Sequence, residues 1–315
     1  MSGTVLISET MAQEAEDYLK AHGYEVKHGR GIEEQVLIED LQGCQAVIVR
    51  VAKITARVFE HCPELRVVAK HGVGVDNIDL EAAKRHGCRV VYTPHANAHS
   101  VAEHTMALII ACAKNLLYMA QGYRTIGYQV KNTGRACELR GKTLGLLGYG
   151  KIGSAVAQMA AKGFGMEIQI YDPYIRPDMD MGDVTVLKSR EELFRNADFI
   201  SIHMPALETT IKSVGTQEFE WMKPTAYLIN TARGSIVDET ALICALEEGQ
   251  IGGAGLDVSD PEPESPDSKL FQMDNVIITP HVAASTQEAL LRMAEGAAQG
   301  IDEVLTGKDV TWPVI

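Results

Sequence analysis

Between Lys142 and Gly153 the chain runs K-T-L-G-L-L-G-Y-G-K-I-G, and no other stretch limits the fold as strongly. Leu144, Leu146 and Leu147 form a short apolar run that breaks into Gly148-x-Gly150-x-x-Gly153 and passes into the alanine-rich, helix-favouring segment 154–162. This order prescribes a strand, a tight turn and a helix. The first glycine allows the turn, the second lets backbone approach a pyrophosphate, and the third lets helix and strand pack closely. The helix N-terminus then faces the phosphates. Glycine-rich turns are common, so the pattern alone is weak and its surroundings matter. A second apolar run, Ile168 to Tyr171, ends in Asp172, 19 positions beyond Gly153. That is close to the roughly 20 expected of an acid that grips the adenosine ribose. A carboxylate there favours NAD over NADP, because it repels a 2′-phosphate.

Short β-branched runs before this stretch (Val5–Ile7, Val47–Val49, Val67–Ala69, Val90–Tyr92) alternate with helical segments such as Met11–His22 and Leu80–His86. They predict a parallel α/β unit without a glycine fingerprint of its own. After the glycine turn the alternation resumes, with runs at Ile168–Tyr171, Phe199–His203, Tyr227–Asn230, Gly255–Val258 and Val276–Thr279. Two helices are expected to open on capping boxes, Ser100-x-x-Glu103 and Ser285-x-x-Glu288. The first should run on through Leu116 and Leu117 and, being apolar nearly all round, lie buried between domains or against a second subunit. The last helix has no strand after it, so it is expected to cross back to the first unit. The expected class is therefore α/β with two doubly wound parallel-sheet domains: a Rossmann NAD domain, residues 98–284, inserted into a flavodoxin-like substrate domain, residues 1–97 and 285–315.

At 315 residues two cores are the natural expectation, and a net charge of −13 argues against nucleic acid or an anionic membrane surface as partner. The six cysteines are scattered, with no C-x-x-C pair and no signal peptide ahead of them, which suits a reducing cytoplasm. The longest strongly apolar run, Met106–Ala113, is far shorter than the roughly 20 residues of a membrane span.

Three charged groups stand near strand ends in the second half: Arg233, Glu262 and His281. An Arg after a strand is usually a surface charge, and a Pro-His at a strand end is usually a turn. Their setting is more specific. The ordered motifs G-Y-G-K-I-G, Y-D-P, H-M-P, T-A-R-G-S-I-V-D-E, G-L-D-V-S-D-P-E-P and T-P-H-V-A-A-S-T closely resemble the D-2-hydroxyacid dehydrogenase family. H-G-V-G-V-D-N-I-D resembles its phosphoglycerate dehydrogenase branch, and the likeness covers nearly the whole chain.

The resemblance implies an NAD-dependent oxidoreductase that interconverts a small 2-oxo acid and a D-2-hydroxy acid. It implies that Arg233 binds the substrate carboxylate, that His281 donates or accepts the proton, and that Glu262 pairs with His281. A guanidinium binds a carboxylate through two parallel hydrogen bonds, which also orients the adjoining carbonyl. Hydride arriving at a 2-oxo carbon leaves negative charge on oxygen, which an imidazolium can neutralise. A carboxylate beside a histidine of ordinary pKa about 6.5 keeps that acid form populated. Asp260, Glu262 and Glu264 share one acidic loop, so spacing alone leaves the partner of His281 open among them. Cofactor contacts are implied at Gly148, Gly150, Lys151, Ile152, Gly153, Asp172, His203, Met204, Pro205, Thr231, Ala232, Arg233, Asp257, His281, Ala283 and Ala284. Asp257 would accept from the nicotinamide carboxamide. Across the cleft, Arg50, Lys70, His71, Gly72, Val73 and Gly74 would meet the substrate, with the amides of Gly72 to Gly74 as an anion nest. Closure of the domains would exclude water.

The first-domain wall departs from the family. Phosphoglycerate dehydrogenases typically have an arginine and a small residue where Lys70 and His71 stand, while Arg50 matches a residue they use near the phosphate. Ser259 replaces a usual aromatic. The substrate is thus 3-phosphoglycerate with 3-phosphohydroxypyruvate, or glyoxylate or hydroxypyruvate, or a bulkier 2-oxo acid. Because the sequence stops at Ile315, no appended regulatory domain is expected. His95, His99 and His104 with Glu103 invite a metal reading, but Pro94 and the expected cap at Ser100 put His95 and His99 before the helix, so no metal is expected. Family members are commonly dimers, and a homodimer is expected here. The rival of a different class is an NAD(H)-sensing binding protein like the transcriptional corepressor that resembles these enzymes.

Overall fold

The computed structural model describes residues 3–134, 136–176, 178 and 181–315. It divides into two compact units, the chain up to Ala98 together with Ala284–Ile315, and His99–Ala283. In the first unit β1 (Thr4–Ile7), α1 (Gln13–Ala21), β2 (Glu25–His28), α2 (Glu34–Asp40), β3 (Ala46–Val49), α3 (Ala56–His61), β4 (Val67–Lys70), α4 (Leu80–Arg85) and β5 (Arg89–Val91) alternate. The strands pair in parallel in the order β2-β1-β3-β4-β5, the flavodoxin-like winding. Alternate residues feed two layers. Leu6, Val47, Val49 and Val68 pack with Leu37, Phe59 and Ala82 from α2, α3 and α4, while Val5, Ile7, Ile48 and Ala69 pack on the other face. With both faces covered, β3 is buried throughout, so it appears in sequence as an unbroken apolar run.

The second unit contains α5 (Ala98–Ala113), α6 (Leu116–Thr125), β6 (Thr143–Leu147), α7 (Lys151–Phe164), β7 (Glu167–Tyr171), β8 (Val184–Val186), α8 (Arg190–Asn196), β9 (Phe199–Ile202), α9 (Thr216–Trp221), β10 (Tyr227–Asn230), α10 (Glu239–Glu247), β11 (Gly253–Leu256) and β12 (Val276–Ile278). Its seven strands are all parallel, in the order β12-β11-β10-β9-β6-β7-β8. Order reverses between β6 and β9, which is the switch point where doubly wound sheets bind ligands, and the glycine turn follows β6. The chain then returns to the first unit as α11 (Gln287–Thr306). Ala294, Ala297, Ala298 and Ile301 of this helix join the β1–β3–β4 face. Its small residues allow close approach: a Cβ on Gly300 would lie 2.8 Å from Val91 Cγ2.

Three local expectations fail. The capping box at Ser100 is absent, because α5 already starts at Ala98 and Ser100 is buried within it. The same helix stops at Ala113, where Asn115 turns left-handed at φ +48°, so Leu116 and Leu117 begin the separate α6 and are exposed. On the last helix the cap is Thr286, whose hydroxyl accepts from Ala289 N at 3.2 Å. Ser285 is engaged elsewhere, its Oγ accepting from Arg50 Nη2 at 3.3 Å. Among the described residues no helix is long and apolar enough to cross a membrane.

Candidate active site

The glycine turn is built by close backbone contacts. Gly148 lies at φ +97°, and a Cβ there would come 2.8 Å from the His203 carbonyl and 2.9 Å from Met204 N. A Cβ on Gly153 would come 2.6 Å from Gly148 O. At Gly150, the N-cap of α7, nothing lies within 4 Å of an added Cβ, so the middle of the turn is open where a phosphate would approach. Lys151 and Ile152 form the first turn of α7. Asp172 lies just past β7, and its two oxygens accept from Tyr149 N (2.8 Å) and Tyr174 N (2.9 Å). It therefore braces the glycine turn while remaining partly exposed. An open cradle at a helix N-terminus with a carboxylate at the next strand end fits a dinucleotide.

Beyond β9, His203 Nε2 meets Ser201 Oγ at 2.9 Å, and burial pushes its imidazole down to about 4, so the ring is neutral. Met204 is half-buried against the core and Pro205 is exposed.

Beyond β10, Asn230 organises the loop that carries Arg233. It is 1% exposed; its Oδ1 accepts from Ala232 N at 3.0 Å and its Nδ2 donates to Arg233 O at 2.9 Å. Arg233 Nη1 donates to Ala232 O at 2.7 Å. Thr231 turns its hydroxyl inward, 2.9 Å from Thr105 Oγ1. Sequence reasoning missed Asn230. The available signal was an amide at the end of an otherwise apolar, buried strand.

Glu262 Oε2 and His281 Nδ1 lie 2.9 Å apart, both side chains nearly half exposed. Burial pushes the Glu262 carboxyl upward, but the hydrogen bond and charge of His281, the Ser259 amide and the Arg233 charge outweigh it. The carboxyl consequently sits below its ordinary range. Of the three acids in the loop, Glu264 turns to Glu239 instead. Burial, the charge of Glu264, a hydrogen bond with it, and Asp260 push Glu239 up to about 7. His281 itself is held at φ +51°, a left-handed conformation that costs a non-glycine residue free energy and requires support. Its amide donates to Asp257 O (2.8 Å) and Thr279 O (3.0 Å).

Asp257 corrects one expectation. The side chain is 0% exposed; Oδ1 accepts from Thr279 Oγ1 (2.6 Å) and Val282 N (2.9 Å), and Oδ2 from Ala283 N (2.8 Å). With no accessible surface, it pins the His281 turn and offers no open oxygen to a carboxamide. Ala283 is likewise occupied by this bond, and Ala284 packs with Ala96, Ala289 and Met293 in the first unit.

In the first unit two further expectations change. Lys70 Nζ donates to Arg50 O (2.6 Å) and Asn77 Oδ1 (2.7 Å), so it braces the loop after β3 and its charge is spent within the chain. His71 is 3% exposed with Nε2 3.3 Å from Leu290 O, and burial pushes it down to about 4. It is a neutral packing residue against α11, with Nδ1 left without a partner. The nest also shrinks: Gly72, at φ +143°, donates its amide to Thr93 Oγ1 at 3.1 Å. The amides of Val73 and Gly74 have no acceptor among the described residues. Arg50 keeps a partly exposed guanidinium beside Ser285.

His99 lies within α5 and pairs with Glu103 at 3.1 Å, while the His95 ring centroid is 6.0 Å from that of Trp312. Among the described residues no group of three or more His, Cys, Asp or Glu could hold a metal ion.

Residues 106–283 match the family of the D-isomer specific 2-hydroxyacid dehydrogenase, NAD binding domain. The chain is 37% identical to a D-3-phosphoglycerate dehydrogenase of Archaeoglobus fulgidus over 97% of its own length, and it spans 58% of that protein. To a glyoxylate reductase of Korarchaeum cryptofilum it is 39% identical over 85% of this chain and 81% of that one. Among solved structures, the NAD+-bound 3-phosphoglycerate dehydrogenase of Entamoeba histolytica superposes with a TM-score of 0.85 at 28% identity, covering 100% of this chain and 99% of the other.

Proposed function

The chain belongs to the D-isomer specific 2-hydroxyacid dehydrogenase family, and from that premise we propose that it is an NAD-dependent oxidoreductase interconverting a small 2-oxo acid and its D-2-hydroxy acid. The observation that carries this reading is the 2.9 Å pair of His281 and Glu262, which, like Arg233 and the glycine turn, follow the carboxyl ends of strands in the second, all-parallel sheet.

When bound, NAD(H) would be held by Gly148–Gly153 and the start of α7, with Asp172 placed to accept from its ribose, and would supply or accept the hydride. The chain's own residues do the rest. Arg233 binds the substrate carboxylate through two hydrogen bonds and fixes the face of the 2-oxo carbon. Glu262, kept ionised, is an acceptor only, so His281 Nδ1 must carry a hydrogen and Nε2 is the atom that exchanges protons with substrate. In reduction Nε2–H passes its proton to the 2-oxo oxygen as that oxygen gains charge, and in oxidation neutral Nε2 takes it back. Glu262 stays a carboxylate throughout and stabilises the imidazolium. On the first unit, Arg50 and the amides of Val73 and Gly74 are the groups offered to an anion. Phosphohydroxypyruvate with phosphoglycerate is one substrate pair, and glyoxylate or hydroxypyruvate is the other, in line with the names of the relatives.

The remaining elements of the proposal are a homodimer and a cytoplasmic location. Leu116, Leu117, Tyr123, Ile126 and Tyr128 are exposed, and α6 buries none of its residues, a surface suited to self-association. Six free cysteines suit a reducing compartment.

A panel of 2-oxo acids assayed with NADH and NADPH in parallel tests the function. NADH oxidation with at least one small 2-oxo acid is expected. A preference for NADPH would contradict the role given to Asp172. Tight NAD binding with no turnover would favour a corepressor-like sensor. Sedimentation at the mass of one chain would remove the dimer.

A further inference from the structure

Two consecutive residues of α5, His104 and Thr105, each touch a different one of the two loops that carry the reaction. His104 Nε2 lies 3.2 Å from Thr279 Oγ1 and 3.5 Å from Asp257 Oδ1. Thr105 Oγ1 lies 2.9 Å from Thr231 Oγ1 and 2.8 Å from Val101 O. The hydrogens can be assigned by elimination. Thr279 gives its only hydroxyl hydrogen to Asp257 Oδ1 at 2.6 Å, so it must accept from His104, whose Nε2 is therefore a donor. Thr105 gives its hydrogen to the Val101 carbonyl, so it must accept from Thr231.

Two directed chains result. One runs from His104 through Thr279 to Asp257, whose oxygens hold the amides of Val282 and Ala283 and whose backbone carbonyl holds the amide of His281. The other runs from Thr231, two residues before Arg233, through Thr105 into the helix backbone. The helix reaches both loops because β11 presents Gly255 beneath it, where a Cβ would come 3.2 Å from Leu108 Cβ and 3.3 Å from Cys112 Sγ.

We propose that His104 and Thr105 are positioning residues for the reaction: His104 sets the proton-transferring His281, Thr105 sets the carboxylate-binding Arg233, and α5 fixes the spacing between them. The proposal rests on the dehydrogenase reading above. It assigns the two residues separable kinetic consequences. A His281 turn without its His104 donor loses proton transfer, which lowers kcat. An Arg233 loop without its Thr105 acceptor loses hold on the substrate carboxylate, which raises KM for the 2-oxo acid.

The test uses the whole protein with NADH and the best 2-oxo acid of the panel. His104→Leu fills the space without a donor and should lower kcat about tenfold with KM little changed, and His104→Gln, which restores an N–H, should recover most of it. Thr105→Val keeps shape without an acceptor and should raise KM for the 2-oxo acid about tenfold, with Thr105→Ser restoring it. NADH affinity, read by fluorescence, should be unchanged in all four. Equal effects of both variants on kcat and KM, or no rescue by Gln and Ser, would overturn the proposal. If Leu or Val prevents folding, the Gln and Ser variants decide alone, since each must keep kcat and KM within about threefold of the parent. Wild-type protein that binds NADH but reduces no 2-oxo acid would instead remove the dehydrogenase reading and this proposal with it.

Discussion

Gly234 follows Arg233 directly and faces the backbone of Ser259, at the start of the loop that carries Glu262. A Cβ added at Gly234 would fall on the Ser259 carbonyl and lie 2.6 Å from Ser259 Cα. Carbon atoms settle at about 3.5 Å or more, so Gly234→Ala must drive the two backbones apart by about 1 Å. Neither can retreat freely: the Arg233 carbonyl is held by Asn230 Nδ2, and the Ser259 hydroxyl is tied to Pro261 O at 2.9 Å. The displacement therefore passes to Glu262, whose bond to His281 is 2.9 Å and would open to about 3.9 Å, beyond hydrogen-bond range. Misplacement by about 1 Å costs on the order of 100-fold in rate, and overpacking costs about 1–3 kcal/mol of stability. Steady-state kinetics should show kcat reduced between about ten- and 100-fold, with NADH affinity intact because the glycine turn follows a different strand. Thermal unfolding should shift down by several degrees. An alanine variant with wild-type kcat and an unchanged pH profile would show that the Ser259 loop does not set the Glu262–His281 contact, and the argument for Glu262 would lose its geometric basis.

Glu262→Gln removes the negative charge facing the imidazolium, so the alkaline limit of 2-oxo acid reduction should move to lower pH by about one unit; a superimposable pH–rate profile would remove Glu262 from proton transfer. Glu239→Gln probes the second carboxyl pair. Its folded value, about 7, lies above the ordinary 4.5, so the folded protein holds a proton that the unfolded chain has lost, and stability falls as pH rises through that window. The variant should match wild type below pH 4.5 and exceed it at pH 8 by about 1 kcal/mol in denaturant unfolding, a figure reduced for solvent screening of a largely accessible group. Parallel stability curves for the two proteins would contradict the raised Glu239 value. Asp172→Ala should raise the NADPH-to-NADH ratio of kcat/KM at least about tenfold and weaken NADH binding, because Asp172 also holds Tyr149 N; an unaltered ratio would place the ribose elsewhere.

The fold was legible because its signals are local. A buried parallel strand needs an unbroken apolar run, a Rossmann turn needs its glycines, and both can be read within about ten residues. Helix ends were less legible. S-x-x-E occurs four times, at Ser100, Ser189, Ser259 and Ser285, and only at Ser189 is the serine a helix cap, because a cap depends on where the backbone enters the helix. Nothing in the apolar stretch after Ser100 announced the left-handed Asn115 that divides α5 from α6.

At the site the sequence identified residue types better than tasks. Arg233, Glu262 and His281 stand near the ends of their strands, and the acid nearest His281 is Glu262. Lys70, His71 and Asp257 are polar and adjacent to the expected chemistry, yet each is committed inward, to Asn77, Leu290 and Ala283. The last two partners lie 219 and 26 residues away in sequence, beyond the reach of any local pattern. The acidic loop shows the same limit at close range. Glu262 and Glu264 are two residues apart and chemically identical, but one faces the His281 ring and has its carboxyl held below the ordinary range, while the other faces Glu239 and pushes that carboxyl up. What separates them is the neighbour each side chain meets. A single loop thus turns Glu262 toward His281 and, on its other side, packs against Glu239 at the start of α10, whose charge appears as pH rises through about 7. Any alkaline loosening of this loop should therefore begin at Glu239 and reach Glu262 second.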